Sequence, residues 1–211
     1  MCFLVFLVLF LSYHSTGYAQ VKYIGGSAGF NLSKLDFKDD LKAYDFNFRN
    51  GFKCGIMAEY ELSNSFLTRI EINYAMKGTE YGLEEKYAFP KHKFIEKLNY
   101  MEIPVLFQYY MPSGFIIKPQ IFIGPEIAFL LNSKIEYIEN DKSIGEYDDT
   151  DKWKSAEYGL VVGIGADYEL SVGKILFDIR YNYGLSNINK SQGSRVTSNT
   201  LLFNIGYAFR L

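Results

Sequence analysis

FKCGIMAEYEL, residues 52–62, changes character at every step. Phe52, Cys54, Ile56, Ala58, Tyr60 and Leu62 fall on one parity; Lys53, Gly55, Met57, Glu59 and Glu61 fall on the other. Period-two alternation is the mark of a strand with two unlike faces. After Ser63-Asn64-Ser65, a short run of turn formers, residues 66–77 repeat the scheme. Phe66, Ile70, Ile72, Tyr74 and Met76 oppose Arg69, Glu71, Asn73 and Lys77. Two such runs joined by a tight turn read as an antiparallel hairpin.

Working outward, six more strands follow, at about residues 21–32, 98–111, 115–131, 156–170, 174–185 and 199–211. In residues 156–170, Tyr158, Leu160, Val162, Ile164, Ala166, Tyr168 and Leu170 oppose Glu157, Gly159, Gly163, Gly165, Asp167 and Glu169. Next, Ile175, Phe177, Ile179, Tyr181 and Tyr183 oppose Asp178, Arg180 and Asn182. The last strand sets Leu201, Phe203, Ile205, Tyr207, Phe209 and Leu211 against Asn204, Gly206 and Arg210. The connections alternate. Ser63-Asn64-Ser65, Pro112-Ser113-Gly114 and Ser171-Val172-Gly173 are short; residues 33–49, 78–96, 132–155 and 186–198 read as long polar loops. Eight antiparallel strands with tight turns on one rim and long loops on the other describe an all-β, up-and-down transmembrane β-barrel. An even strand number puts both termini on the short-turn side.

Composition agrees. The chain has 211 residues, a net charge of -2, 18 Tyr, 18 Phe and 1 Trp. That balance argues against a polybasic nucleic-acid binder, and the aromatic share excludes disorder. Past residue 20 no apolar run is long enough for a membrane helix. Residues 1–19 read as a signal peptide: an apolar run from Cys2 to Leu11, then polar residues and Gly17-Tyr18-Ala19 before Gln20. No Lys or Arg precedes the run, which fits a start a few residues upstream. A buried N-terminal strand is the disfavoured alternative. The mature barrel domain, residues 20–211, keeps Cys54 alone, so no intrachain disulfide is available.

Alternation does not say which face is outside. A soluble lipocalin-like barrel turns its apolar face inward, a membrane barrel outward. Three features favour the membrane. Glycines Gly25, Gly29, Gly55, Gly124, Gly163, Gly165, Gly184 and Gly206 share the charged parity. An eight-stranded interior barely holds side chains, so long ionic residues there need small neighbours. Tyr and Phe near strand ends suit an interfacial girdle, and the leader supplies export. Pro104, Pro119 and Pro125 oppose the scheme, since proline donates nothing to a ladder. Bulges are expected to absorb them, and a bulge shifts parity by one residue.

Several segments resemble the PorT-like outer-membrane β-barrel family: GGSAGFNLSKL at 25–35, YMEIPVLFQYY at 100–110, KPQIFIGPEIAFLL at 118–131, GLVVGIGADYEL at 159–170, IRYNYGLSNI at 179–188 and GYAFRL at 206–211. The resemblance covers most of the mature chain in order. It implies an outer-membrane barrel of Gram-negative bacteria. The name-giving member's link to secretion is not carried by these residues. Leu211 stands where an aromatic terminal residue is common, while Phe209 keeps the parity of a sorting signal.

The inward parity carries Lys53, Arg69, Lys77, Lys118, Arg180 and Arg210 against Glu59, Glu61, Glu71, Glu102, Glu126, Glu157, Asp167, Glu169 and Asp178. Buried charges must be paired. The expectation is a salt-bridged plug, with Glu102 and Arg180 in the network; an ion or proton path is the alternative. No wide pore is expected. His92, in Pro90-Lys91-His92-Lys93, is the only histidine past the leader and has no evident nucleophile beside it. Glu136, Glu139, Asp141, Glu146, Asp148, Asp149 and Asp151 read as a solvated acidic loop; calcium is the alternative, but the EF-hand spacing is absent. Cys54 should face lipid as a small apolar group. The reading assigns no catalytic, cofactor-binding or metal-binding residues and no cofactor. Its partners are outer-membrane lipid and envelope or secretion proteins, with no nucleic acid, and the barrel is a monomer. A non-enzymatic barrel displaying surface loops for adhesion, ligand contact or envelope integrity stands first. An accessory part of a secretion machine and a lipid-modifying enzyme are the alternatives.

Overall fold

The computed structural model describes residues 21–37, 44–83, 92–112, 116–191 and 195–211. Its strands are β1 (Val21–Phe37), β2 (Tyr44–Ser63), β3 (Phe66–Leu83), β4 (His92–Tyr110), β5 (Ile117–Glu139), β6 (Lys142–Asp148), β7 (Ala156–Leu170), β8 (Gly173–Gly184) and β9 (Val196–Arg210). All pairings are antiparallel. The order β4-β3-β2-β1-β9-β8-β7-β5 is closed by β4 on β5, leaving eight strands in the ring. β6 stands outside the ring, paired only with β5. The proposed leader and residues 113–115 lie outside the described residues.

Parity holds around the ring. Ile56, Ile70, Ile72, Ile121, Ile164, Phe177, Ile179, Phe203 and Ile205 are exposed on the outer face, while Glu59, Arg69, Glu71, Glu102, Asp167, Asp178 and Arg180 are buried. Apolar groups without cover and charges inside are the inverse of a soluble core. Cys54 lies on the outer parity between Phe52 and Ile56, partly covered, as expected of a lipid-facing thiol.

The long loops are shorter than the sequence reading has them. β1 to β5 run 17, 20, 18, 19 and 23 residues. A tilted membrane strand needs only about 9–11, so this side of the wall rises past the apolar belt. β7, β8 and β9 are shorter, at 15, 12 and 15 residues. The acidic loop is largely a hairpin. Asn140 and Asp141 take positive φ of 48° and 62° between β5 and β6. Two-residue hairpin loops demand that geometry, which Asn and Asp tolerate.

The prolines correct another expectation. β5 pairs with β7 in one register from Ile117↔Tyr168 to Phe129↔Ala156, straight through Pro119 and Pro125. Pro104 opposes Glu126 without a shift. On the β3 side the ladder lapses between Ile70↔Val105 and Asn73↔Glu102 and resumes in the same register. Each proline therefore forfeits a local bond and no bulge is needed. Register shifts lie elsewhere, among them one in the β2–β3 ladder between Phe48 and Lys53 and one on β5. Asn99 pairs with Asn132 but Tyr100 with Leu130, so Leu131 is the extra residue. Inward residues on β5 change there from Glu126 and Ala128 to Ser133 and Ile135.

Candidate functional site in the lumen

Strand parity sends the ionic side chains inward, and ring closure decides which of them meet. Near the short-turn end, Arg69 Nε donates to Glu59 Oε1 at 2.7 Å. Lys174 Nζ lies 2.5 Å from Glu59 and 2.6 Å from Asp167. It also donates to the Tyr110 hydroxyl at 2.8 Å. Gln108 and Gln120 continue the chain, with Gln120 donating to Asp167 at 2.8 Å.

At mid-height Arg180 forks onto Glu71, with both N–H···O distances 2.8 Å. The same guanidinium donates to Asp178 at 2.6 and 2.9 Å. Asn73 donates to Glu71 at 2.9 Å, and Arg69 reaches Asp178 at 3.3 Å. Higher still, Glu102 joins Lys53 at 2.8 Å and Lys77 at 2.5 Å. Lys77 lies farther from Glu126 and Glu157, at 3.7 and 3.9 Å. Asn182 donates to Glu126 at 2.8 Å.

Glu102 and Arg180 both belong to the buried ionic interior, but in separate clusters; no contact joins them. Lys118, Glu61, Glu169 and Arg210 sit at the short-turn rim instead, where Glu169 takes Lys118 at 3.3 Å and Arg210 at 2.6 Å, and Lys22 takes Glu61. The sequence reading missed Lys174. It sits one residue past the Ser-Val-Gly turn, and turn lysines are ordinarily solvated. Its signal is parity: it is four residues before Asp178 and six before Arg180.

Glycines serve more than side-chain room. A Cβ on Gly124 would stand 1.8 Å from the Val105 carbonyl oxygen, and one on Gly25 would stand 2.1 Å from that of Tyr207. The obstacle is the neighbouring strand's backbone, pulled close by the tight curvature of a narrow barrel. At Gly55 and Gly163 it also includes interior side chains, Asn73 and Phe122.

Above the ionic layers lies an apolar one. Leu35, Leu98, Tyr100, Ala128, Trp153, Ile188 and Val196 form a buried cluster, with Phe37 and Leu130 packed on it. Trp153 and Ile188 come from the two segments read as polar loops. Trp153 bridges Asn189, and Lys154 N–H donates to Ile188 carbonyl at 2.7 Å. Ile188 N–H donates to Val196 carbonyl at 2.9 Å. The available signal was a large apolar residue within each polar stretch, the chain's one tryptophan among them.

The acidic segment is not a free loop. Lys97 stands 2.7 Å from Glu136 and 3.0 Å from Glu146. Hydrogen bonds from Lys97, and then from Ser143 and Lys134 respectively, hold both carboxyls below the usual range. Among the described residues no group of three or more candidate ligands is placed to hold a metal ion. His92 opens β4 opposite Glu139, at the far rim from the ionic interior.

Three solved structures show what the chain resembles. Neisserial surface protein A is 17% identical with TM-score 0.48, covering 89% of this chain and 97% of its own. OprG from Pseudomonas aeruginosa is 14% identical with TM-score 0.49, covering 91% and 97%. Ail, the attachment invasion locus protein of Yersinia pestis, is 14% identical with TM-score 0.42, covering 90% and 100%. At these identities the likeness is one of fold alone. Comparison with curated proteins finds no match. The family model described as outer membrane protein beta-barrel domain matches residues 18–190. With the apolar face outward, the charges inward and that match over most of its length, the chain belongs to the outer membrane protein beta-barrel domain family, and its location is the outer membrane.

Proposed function

We propose that this protein is a non-enzymatic, closed outer-membrane barrel, a monomer whose tall β1–β6 wall is its contact surface toward the outside. The observation that carries the reading is the stack inside the ring. Two ion-paired clusters lie beneath a buried apolar cluster that includes Trp153 and Ile188, with Arg69, Arg180 and Lys174 each at most 1% exposed. A path for solutes would need a gap, and hydrated ions do not cross an apolar layer cheaply. Among the described residues the one histidine, His92, lies at the rim and away from the ionic interior, which gives a lipid-modifying reaction no support. The rigid strands hold their projecting hairpins in place, the arrangement that favours recognition over transport. The short-turn rim faces the periplasm in this reading. Placement among the PorT-like members is part of the same proposal and rests on the segments at 25–35, 100–110 and 118–131.

Purified protein in planar bilayers should give no large, stable conductance steps. Reproducible open-channel steps of porin size would overturn the closed reading.

Export through a cleaved leader, residues 1–19, belongs to the proposal too. Mass spectrometry of protein extracted from membranes should find Gln20 as the first residue. A chain retaining its apolar N-terminus would reject it.

A further inference from the structure

The turn that carries Trp153 is tied to the barrel wall through Asp149. Asp149 N–H donates to Ser133 carbonyl at 3.2 Å, and the Ser133 hydroxyl donates to Asp149 Oδ1 at 2.6 Å. Lys152 N–H donates back to Asp149 carbonyl at 2.9 Å, closing one short helical turn. Trp153 follows at once and enters the apolar cover.

A second carboxyl meets this anchor. Leu98 is the partner of Ser133, and Glu96 is the next inward residue along β4. Register and the Ser133 bond therefore bring Glu96 and Asp149 to the same edge of the cover, where they are only 5% and 7% exposed. Glu96 Oε1 takes a long hydrogen bond of 3.5 Å from the Tyr81 hydroxyl, and Oε2 has no protein donor. Two carboxylates cannot hydrogen-bond to each other without a proton between them. Burial, and then the charge of Asp149, push the Glu96 carboxyl up to about 8.

The surrounding groups do not cancel this. On β3 the register partner of Glu96 is Thr79, which carries no charge, and the Tyr81 hydroxyl reaches it; on β5 its partner is Ile135. Lys152 Nζ lies 3.4 Å from Asp149 Oδ2, but its side chain is mostly in water. Lys93 and Lys97 have the opposite parity on β4 and are paired with Glu80 and with Glu136 and Glu146. On β2, Arg49 donates to the Lys77 carbonyl.

We propose that Glu96 and Asp149 share one proton that latches the Trp153 turn over the lumen, and that loss of this proton frees the turn. The sign follows from linkage. In the closed state the Glu96 carboxyl holds its proton to higher pH than when the turn is lifted into water. Closure is therefore favoured most below about pH 4.5, the ordinary range of a glutamate. The closed-to-open ratio then falls about tenfold per pH unit up to about pH 8, and is flat above.

Trp153 is the chain's only tryptophan, so its fluorescence reports the turn without labelling. In detergent-refolded full-length protein, emission should move to the red and acrylamide quenching should rise severalfold between pH 5 and pH 9. The folded gel band should persist throughout. Glu96→Gln keeps the shape and an N–H donor for Asp149, and its emission should stay blue and flat. Should that variant not fold, Asp149→Asn removes the facing charge and should shrink the alkaline red shift and the rise in quenching, because the closed-to-open ratio then stops falling at a lower pH. A flat wild-type profile overturns the proposal, as does a Glu96→Gln or Asp149→Asn profile matching wild type. An alkaline shift reversed by added calcium would also overturn it, by assigning the pair to a cation.

Discussion

Replacing Arg180 with leucine should lower the stability of the folded barrel by about 3–5 kcal/mol. Equilibrium urea unfolding in phospholipid vesicles would measure this. Arg180 is the most heavily engaged cation of the interior, forked onto Glu71 and bound through two further N–H groups to Asp178. Leucine fills much of the space but donates nothing. Glu71 and Asp178 would stay 1% and 4% exposed with their main counter-charge gone. A carboxylate left unpaired in a dry interior is the costly outcome, far more so than removal of both partners. Arg69 limits the loss, since it lies 3.7 Å from Glu71 and 3.3 Å from Asp178. For that reason Arg180→Leu combined with Glu71→Leu should recover part of the stability lost by the single variant. A single variant within about 1 kcal/mol of wild type would show that water, and not the guanidinium, satisfies these acids.

Gly124→Ala should cost about 3 kcal/mol, the upper end of what overpacking commonly costs, and Gly124→Val should leave no folded band on a heat-modifiability gel. The new Cβ would meet the Val105 carbonyl oxygen at 1.8 Å, Val105 carbonyl carbon at 2.7 Å and Leu106 Cα at 2.9 Å. All three atoms are backbone, so no rotamer change relieves the overlap. The ladder between β4 and β5 would have to part where Pro125 has already left it short of a donor. Gly159 offers the control on the neighbouring strand β7. Its nearest obstacle is the Tyr183 carbonyl oxygen at 3.1 Å, with Glu126 Oε1 next among side chains at 4.0 Å. A shift of a few tenths of an ångström accommodates alanine there, and Gly159→Ala should stay within about 1.5 kcal/mol. Equal losses at the two sites would mean that barrel curvature is not what excludes a side chain at residue 124.

The interior network is ordered in layers that follow the stagger of the strands. Glu71 and Arg180 are 109 residues apart in the chain, yet bond twice. Lys53 and Lys77 both converge on Glu102 from different strands. Side-chain pairs of this kind hold one register of the ring against its neighbours, because a slip of one residue would carry ions to the lipid face. Such networks are weak evidence for net stability but strong candidates for specifying a single register.

Much of this was legible in residues 52–77 alone. A side chain's face depends only on strand parity, a local property, so Lys53, Glu59, Arg69 and Glu71 could be placed inside and Ile56 and Ile70 outside without knowing any neighbour. The glycines on the charged parity pointed to a narrow interior, and the count of alternating runs set the eight-stranded ring. The expectation of bulges at Pro104, Pro119 and Pro125 failed because a proline removes one donor but does not lengthen a strand. The extra residue, Leu131, carries no such mark. The hairpin at Asn140-Asp141 was hidden by the charges around it, although two turn-forming residues between polar strands are a hairpin signal.

Strand faces and the membrane orientation of the apolar row were thus determined by the sequence itself, since both rest on alternation. Which acid meets which base, and the burial of Lys174, Trp153 and Ile188, were decided only by tertiary structure. Those contacts join residues far apart in the chain, and their positions depend on the stagger and curvature with which the eight strands close, quantities that no single strand encodes.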